Sequence, residues 1–352
     1  MTREEIMAAL EKVIDPELRK PVTELDMVRD ITIDGDVVGV TIALTILGCP
    51  LRSSFEDQVR EHVASLPGVA SIGLQFTVMT PEERTALSAK LRGPVADKGI
   101  KLPATTRVIA VCSGKGGVGK SSLTVNIAAA LAQAGHEVGV LDADIYGHSV
   151  PHMLGISQKP VVVDKLIVPP VAYDLRLMSI GFFLDDNQPV MWRGPMLHRA
   201  LEQFLQDVHW GDIGVLVVDM PPGTGDVSIS LGQLLPRAEA VVVTTPQPLA
   251  QEVASRAATM AQKTGLRLLG VIENMTSEVF GVGGGAELAA GLDVPLLGSV
   301  PLDVRVREAA DMGTPLVVSD PDSIPARAIS DIARVIDESR VGGFTSTLPL
   351  VS

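Results

Sequence analysis

A glycine-rich stretch, VCSGKGGVGKSS from Val111 to Ser122, carries two lysines and three hydroxyl side chains. Its spacing matches G-x-x-x-x-G-K-[ST], and it lies between a predicted strand and a predicted helix, as such a loop requires. Glycines allow backbone N–H groups to surround phosphate oxygens, and the second lysine supplies charge to the outer phosphates. The alternative is a glycine-rich turn without a ligand. We expect a phosphate site made by Gly114, Lys115, Gly116, Gly117, Val118, Gly119, Lys120, Ser121 and Ser122.

Two acidic motifs lie where later strands are predicted to end. In VLDADIYGHSVP, Asp142 and Asp144 are two residues apart, so both side chains would point the same way from an extended strand. In VLVVDMPPGTGD, Asp219 follows a run of apolar residues. A carboxylate at that place holds Mg²⁺ in phosphate-loop enzymes, together with a loop hydroxyl such as that of Ser121. Each motif alone is compatible with an ordinary turn at the end of a strand.

The strands and helices that position these motifs alternate from Arg107 onward. Near-continuous apolar strands separated by helices predict a mainly parallel, doubly wound α/β sheet, which binds ligands at the carboxyl ends of its strands. Residues 1–80 read as helix, strand, strand, helix and strand, which predicts a small α+β domain. We expect a linker over 81–106 with a short helix at 82–90, a phosphate-loop NTPase domain over 107–340 and a loose tail over 341–352.

Composition and charge indicate which partners and which cellular compartment to expect. The chain has 352 residues, is 46% apolar and carries a net charge of −13 without a basic run. That charge argues against nucleic-acid or anionic-membrane partners. The two cysteines cannot form a disulfide framework, the N-terminus does not read as a signal peptide, and no apolar run reaches the roughly 20 residues of a membrane span. We expect a cytoplasmic protein.

The early lysine of KGGVGKS identifies the loop more closely, because the sequence resembles the deviant Walker A ATPases, a class that includes the MinD, ParA, nitrogenase iron protein and Mrp families. The resemblance implies a homodimer in which Lys115 reaches the phosphates bound by the other subunit. Positive charge supplied in this way stabilises the transition state of phosphoryl transfer. It also implies that Lys120 and Asp144 are catalytic, with Asp144 acting on the attacking water, and that Asp142 supports the Mg²⁺ shell.

The residue types give weaker evidence for where the nucleotide base binds. Asn274 in VIENM follows an apolar strand, where its amide can pair with a purine edge or simply cap a turn. The resemblance implies that Pro301 and Asp303 form the opposite wall of this pocket. It also implies that the nucleotide is ATP rather than GTP.

Two longer segments single out one family. WRGPM followed by a helix and DMPPGTGD, together with DADIYGHSVPHMLG, are very similar to the Mrp family, also called ApbC, over residues 107 to about 340. VIDPELRKPVTELDMV and LTILGCP resemble the cluster-assembly domain that often precedes Mrp-type ATPases, in which Asp15, Glu17 and Cys49 occupy the characteristic positions. The two resemblances imply an ATP-driven carrier or scaffold that assembles iron–sulfur clusters, [4Fe–4S] among them, or transfers them to apoproteins and works with assembly factors.

One departure from the family concerns the cluster ligands. Mrp proteins commonly have C-x-x-C after the asparagine strand, and two such pairs in a dimer can hold a cluster. The corresponding stretch here, ENMTSEVFGVGGGAELAAG, contains no cysteine. Cys49 precedes a predicted helix, whose dipole would lower a thiol pKa, so it is a candidate ligand or else an inert packed side chain. Cys112 lies on the strand before the phosphate loop, and we expect it to be buried.

Two other functions remain open at this point. A ParA- or MinD-like positioning ATPase would keep the nucleotide chemistry without a metal, but the acidic charge and the lack of a C-terminal amphipathic helix disfavour it. A nonenzymatic adaptor would bind nucleotide as a structural ligand. Very slow hydrolysis would be compatible with this last function.

Overall fold

A computed structural model describes residues 2–46, 52–92, 102–103, 105–145, 147–184, 194–223 and 225–339. It divides the chain into two compact units. The first comprises Met1–Leu102, Gln158–Val171 and Gln203–Gly211, and the second comprises Pro103–Ser157, Ala172–Glu202 and Asp212–Ser352. No helix in the described ranges is long and apolar enough to cross a membrane.

The first unit is an α+β module with a three-stranded sheet in the order β1-β2-β3. Its elements are α1 (Arg3–Leu10), β1 (Val28–Asp34), β2 (Val37–Leu44), α2 (Arg52–Val63), β3 (Ser71–Val78) and α3 (Pro81–Arg92), with the hairpin strands β6 (Val161–Val163) and β7 (Leu166–Val168). Thr2 and Glu5 form a capping box that starts α1. The order helix, strand, strand, helix, strand agrees with the expectation for residues 1–80.

The core of this unit explains why it extends beyond residue 80. Phe55, Val59 and Val63 of α2 are buried in one apolar cluster with the inward-facing residues of β2. Leu87 of α3 belongs to the same cluster, as does the β6–β7 hairpin. The helix expected within the linker is therefore α3, and it groups with the first unit rather than with a linker.

The second unit contains an eight-stranded sheet in the order β13-β12-β11-β4-β10-β5-β9-β8. Its strands are β4 (Arg107–Ser113), β5 (Val138–Asp142), β8 (Val171–Ala172), β9 (Leu175–Ser179), β10 (Val215–Asp219), β11 (Glu239–Thr244), β12 (Arg267–Thr276) and β13 (Leu296–Pro301). The pairings from β13 through to β9 are all parallel. The expected parallel α/β sheet is confirmed.

The helices of this unit pack on the faces of the sheet, as fully apolar strands require. They are α4 (Lys120–Gln133), α5 (Val150–Met153), α6 (Gly194–Gln206), α7 (Asp226–Leu234), α8 (Pro248–Lys263), α9 (Gly284–Gly291), α10 (Val304–Asp311), α11 (Leu316–Ser319) and α12 (Ile324–Glu338). The end of α6, from Gln203, groups with the first unit. The strand register pairs Asp219 with Asp142 and with Val111, so the acidic motifs and the phosphate loop meet at one edge.

Candidate nucleotide site

The phosphate loop connects β4 to α4 and has the backbone that its glycines permit. Gly117 and Gly119 have φ of 82° and 81°, in the left-handed region where a Cβ is strained. A Cβ on Gly119 would also lie 2.2 Å from the Asn274 amide nitrogen. The loop delivers the N-terminus of α4, with its unpaired N–H groups, to a cavity of about 700 Å³. Ser113, Lys115, Lys120, Ser121, Asp144, Pro221 and Pro222 are among the residues that line the cavity.

Lys120 lies between two of the predicted acids. Its Nζ is 2.7 Å from Asp219 Oδ2 and 3.6 Å from Asp144 Oδ2. All three side chains are nearly buried, with exposed fractions of 6% for Lys120, 0% for Asp219 and 9% for Asp144. In such a low-dielectric setting the lysine charge is held in place by the acids and directed to the cavity floor.

Each carboxylate oxygen of Asp219 accepts a hydrogen bond from a hydroxyl group on α4. Ser121 Oγ donates to its Oδ2 at 2.6 Å, and Thr124 Oγ1 donates to its Oδ1 at 2.8 Å. A buried carboxylate beside a loop hydroxyl is an oxygen donor set that suits Mg²⁺, which takes few protein ligands and keeps several waters. Ser121 and Asp219 therefore fit the predicted metal role. Sequence reasoning missed Thr124, although its place one turn after Ser121 on the same helix face was a usable signal.

Asp142 and Asp144 are not equivalent, contrary to the picture of one extended strand. β5 ends at Asp142, and the backbone N–H of Asp144 donates back to Asp142 Oδ1 at 3.2 Å. Asp142 also accepts from Ser179 Oγ at 2.9 Å and is fully buried. Burial, together with the neighbouring Asp219 carboxylate, raises the pKa of Asp142 well above its usual range. The bonds to Ser179 and to the Asp144 backbone place Asp142 beneath the site, and its role in supporting the metal shell stays a prediction.

Asp144 organises the loop that follows β5. Its Oδ1 accepts from the backbone N–H of Gly147 at 3.1 Å, while Oδ2 faces Lys120. Gly147 and Ser149 of that loop line the same cavity. A residue that both faces the phosphate lysine and fixes the next loop is well placed to link nucleotide chemistry to loop position.

The loop after β10 closes the other side of the cavity. Gly223 has φ of 92°, and its backbone N–H donates to the Ser113 carbonyl oxygen at 2.8 Å. Gly225 lines the cavity with the two preceding prolines. The loop after β5 and the loop after β10 thus both adjoin the cavity beside the phosphate loop.

Asn274 contacts the phosphate loop directly. Its Nδ2 donates to the Val118 carbonyl oxygen at 2.8 Å, and the residue is 7% exposed. Part of its amide is therefore committed to holding the loop, and its role in base pairing stays a prediction. Pro301 ends β13, and Asp303 caps α10 through the backbone N–H of Arg305. The base-pocket role of Pro301 and Asp303 likewise stays a prediction.

Lys115 and the cysteines complete the set of predicted residues. Lys115 is exposed, lines the cavity and has no ion pair within the described part of the chain. Cys112 is buried as expected, and burial raises the pKa of its thiol to about 12, as in an inert packed cysteine. Cys49 lies outside the described residues.

A close contact behind the loop was not visible in the sequence pattern. A Cβ on Gly114 would lie 2.3 Å from the Val253 carbonyl carbon and 2.4 Å from the Ala254 backbone nitrogen, both in α8. Gly114 is thus required for packing against α8 as well as for phosphate approach. The side chain of α8 Gln251 in turn lies where a Cβ on Gly284 would be, at 2.3 Å.

Two family models match this chain. The family model described as NUBPL iron-transfer P-loop NTPase matches residues 104–337, and the one described as iron-sulfur cluster assembly protein matches residues 3–74. A protein of Mycobacterium tuberculosis named iron-sulfur cluster carrier protein is 50% identical and covers 96% of this chain and 93% of its own length. The Bacillus subtilis protein of the same name is 41% identical over 86% of this chain and 89% of its own length.

Solved structures agree on the fold of the second unit. A nucleotide-binding protein of Archaeoglobus fulgidus in complex with ADP is 32% identical, with a TM-score of 0.54 over 70% of this chain and 95% of its own. The Pyrococcus furiosus cell division ATPase MinD, at 24% identity and a TM-score of 0.53, covers 66% of this chain and 98% of its own and supports the fold alone. The loop, the acids and these matches together show that this chain belongs to the NUBPL iron-transfer family of P-loop NTPases.

Proposed function

We propose that this protein is an ATP-hydrolysing carrier of iron–sulfur clusters that delivers them to apoproteins from the cytoplasm. The observation that carries the ATPase part is the buried triad of Lys120, Asp219 and Asp144 at the floor of a cavity beneath a helix N-terminus. The names of the relatives in M. tuberculosis and B. subtilis support the cargo. In this proposal the second unit is the ATPase part, and the first unit, which includes α3, contributes the cluster-assembly domain.

The chemistry assigned to the site follows from its geometry. The α4 N-terminus and Lys120 bind and orient the β- and γ-phosphates, while Ser121 and Asp219 are the residues that would hold Mg²⁺. Bound Mg²⁺ supplies charge neutralisation at the phosphates. Asp144 receives the proton of the attacking water or orients that water, and its bond to Gly147 transmits the change to the following loop.

Lys115 supplies the remaining charge in trans. It is exposed at the mouth of the cavity. A second subunit placed face to face would bring its own Lys115 to the terminal phosphate, where negative charge is stabilised in the transition state. The proposal therefore includes a homodimer that closes around ATP and relaxes after hydrolysis.

Lys115→Ala tests this proposal, with Lys263→Ala at the far end of α8 as a matched control. We expect Lys115→Ala to bind ATP with nearly unchanged affinity but to hydrolyse it at least about tenfold more slowly, because the lost charge acts on the transition state. Binding of a fluorescent ATP analogue and steady-state phosphate release measure the two effects. Normal turnover by Lys115→Ala would show that the lysine has no role in trans.

A positioning ATPase of the MinD type is the second candidate function, and the shared fold is the observation behind it. The net charge of −13 disfavours binding to DNA or to an anionic membrane. ATP-dependent binding to anionic vesicles or to duplex DNA would favour this candidate over the carrier.

A further inference from the structure

The three-stranded sheet of the first unit has two unlike edges. β3 pairs only with β2 in the described ranges, so one side of an eight-residue strand leaves its N–H and C=O groups without a neighbouring strand. Its sequence, SIGLQFTV, has neither charge nor proline. The opposite edge strand, β1, carries Arg29, Asp30 and Asp34, and its register is irregular between Val28 and Asp30. Charges and irregular pairing normally protect sheet edges from association, and β3 lacks both.

A groove runs beside this edge, between α2 and β3. It has a volume of about 390 Å³ and is lined in part by Val59, Ile72 and Leu74. Ile72 and Leu74 are only half-buried, although their partners Val38 and Val40 on β2 are fully buried. The apolar face of the sheet is therefore incomplete at its β3 side.

The groove also contains one charge of each sign. Glu56 and Arg60 of α2 line it, and both are exposed. Arg60 makes a long 3.8 Å contact with Asp57, and Glu56 has no cationic partner among the residues that the structure describes. An occupant of the groove would have to match an acidic and a basic group one helical turn apart.

The geometry of helix and strand sets where Glu56 and Arg60 lie along β3. Because α2 connects two parallel strands, it runs antiparallel to β3. The Arg52 guanidinium lies 4.7 Å from the ring centre of Phe76, which places the start of α2 beside the C-terminal half of β3. A helix rises about 1.5 Å per residue and a strand about 3.3 Å, so four helix residues advance slightly less than two strand residues. Glu56 therefore stands level with Leu74.

The same spacing, four helix residues for every two strand residues, places Arg60 level with Ile72. A twofold axis perpendicular to the sheet at Gly73 would pair β3 with its own copy in antiparallel sense and set Leu74 opposite the partner's Ile72. Glu56 then faces the partner's Arg60, and the same contact occurs twice by symmetry. The charge pattern in the groove is thus complementary to itself.

We propose that two copies of this chain associate through β3, with a continuous six-stranded sheet about a twofold axis at Gly73 and paired Glu56–Arg60 contacts across the groove. The new strand hydrogen bonds and the burial of Ile72 and Leu74 supply most of the affinity, because exposed ion pairs contribute little. The ion pairs set the register and exclude unlike partners. The contact is independent of the nucleotide site and of the ATPase activity proposed for it.

A charge swap tests the proposed register. In the full-length chain without nucleotide, Glu56→Arg sets two arginines against each other at both contacts, and we expect the dimer to weaken by about tenfold or more. The double variant Glu56→Arg/Arg60→Glu restores opposite charges and should restore the wild-type constant. Glu61→Arg, on the same helix but outside the groove, is the matched control. Sedimentation velocity over a wide concentration range measures the association.

A second variant tests the strand contact without relying on the helix. No atom lies within 4 Å of a Cβ built on Gly73, so Gly73→Lys is expected to fold normally while placing two ammonium groups together at the axis. We expect loss of the association and loss of concentration-dependent hydrogen-exchange protection over residues 71–76. Both experiments are run without nucleotide, so that the dimer proposed to close around ATP does not contribute to the association.

The proposal is overturned if Gly73→Lys and Glu56→Arg associate like the wild type. It is also overturned if the chain is monomeric at all concentrations, or if β3 becomes protected only when a foreign protein is added.

Discussion

Lys120 neutralises the two acids that hold it, so replacing Lys120 affects the stability of the fold as well as ATP binding. Removing a lysine that is only 6% exposed leaves Asp219 and Asp144 buried without their counter-charge. Breaking a buried ion pair from one side costs about 3–5 kcal/mol, far more than the net contribution of an intact pair. Loss of ATP binding in a lysine variant would therefore combine a lost phosphate contact with a weakened fold.

A double variant separates the two effects. We expect Lys120→Ala to lower the free energy of unfolding by about 3 kcal/mol, and Lys120→Ala/Asp219→Asn to regain part of it, because the second change removes the uncompensated charge. Neither variant should bind ATP. Urea unfolding followed by circular dichroism measures the stability. Additive losses in the double variant would contradict the account of the triad.

Glu17 in the first unit makes a second prediction at the residue scale. Burial, together with the neighbouring Asp15 carboxylate, raises the pKa of Glu17 from 4.5 to about 7. The folded chain then binds more protons than the unfolded chain between these two values, so stability falls as pH rises through that window. Above it, Glu17→Gln should be more stable than wild type by as much as about 3 kcal/mol.

The comparison is made by urea unfolding of both proteins at about pH 4 and at about pH 8. We expect nearly equal midpoints at the lower pH and a higher midpoint for Glu17→Gln at the higher pH. A difference that does not change with pH would mean that Glu17 is not protonated in the folded state near neutrality.

At the scale of elements, α8 lies between the phosphate loop and the start of α9. Gly114 lies against the α8 backbone. Gly284 lies against Pro246, two residues before α8, and against Gln251 in the first turn of α8. Neither site has room for a methyl group. A shift of the phosphate loop therefore has to move α8 or be blocked by it.

Gly114→Ala should reveal this contact. A Cβ 2.3 Å from backbone atoms forces displacement, so we expect a loss of about 2 kcal/mol or more in stability and weaker nucleotide binding. Gly116→Ala is the matched control, since no atom lies within 4 Å of its Cβ and its φ is not in the left-handed region. Thermal unfolding without nucleotide compares them. Equal stability of the two variants would contradict the packing argument.

Other elements show where sequence reasoning succeeded and where it did not. β4, α4 and β10 were predicted because long apolar strands and a glycine loop give strong local signals. β6 to β9 were missed, because they are only two to five residues long and turn at Asp164 and at Tyr173–Asp174, all with positive φ but without glycine. Ser179 and Asn274 acquire their partners only through the sheet, so no local pattern revealed those contacts.

At the scale of the whole molecule, one question is how a family member carries a cluster without C-x-x-C after the asparagine strand. That stretch has no cysteine, and Cys112 is buried with a raised pKa. Cys49 is the remaining thiol, so two subunits offer two thiolates, and client or small-molecule thiols would complete the shell. Cluster binding therefore calls for a homodimer, as does the ATP hydrolysis proposed with Lys115 acting in trans.

Anaerobic reconstitution with iron and sulfide tests the carrier function most directly. Bound iron, acid-labile sulfide and visible absorption are measured for the wild type and for Cys49→Ala, with ATP binding measured in the same samples. We predict a stoichiometric cluster in the wild type that is lost in Cys49→Ala while ATP binding is kept. A wild-type protein that binds ATP but takes up no iron or sulfide would contradict the carrier function and leave a nucleotide-dependent adaptor.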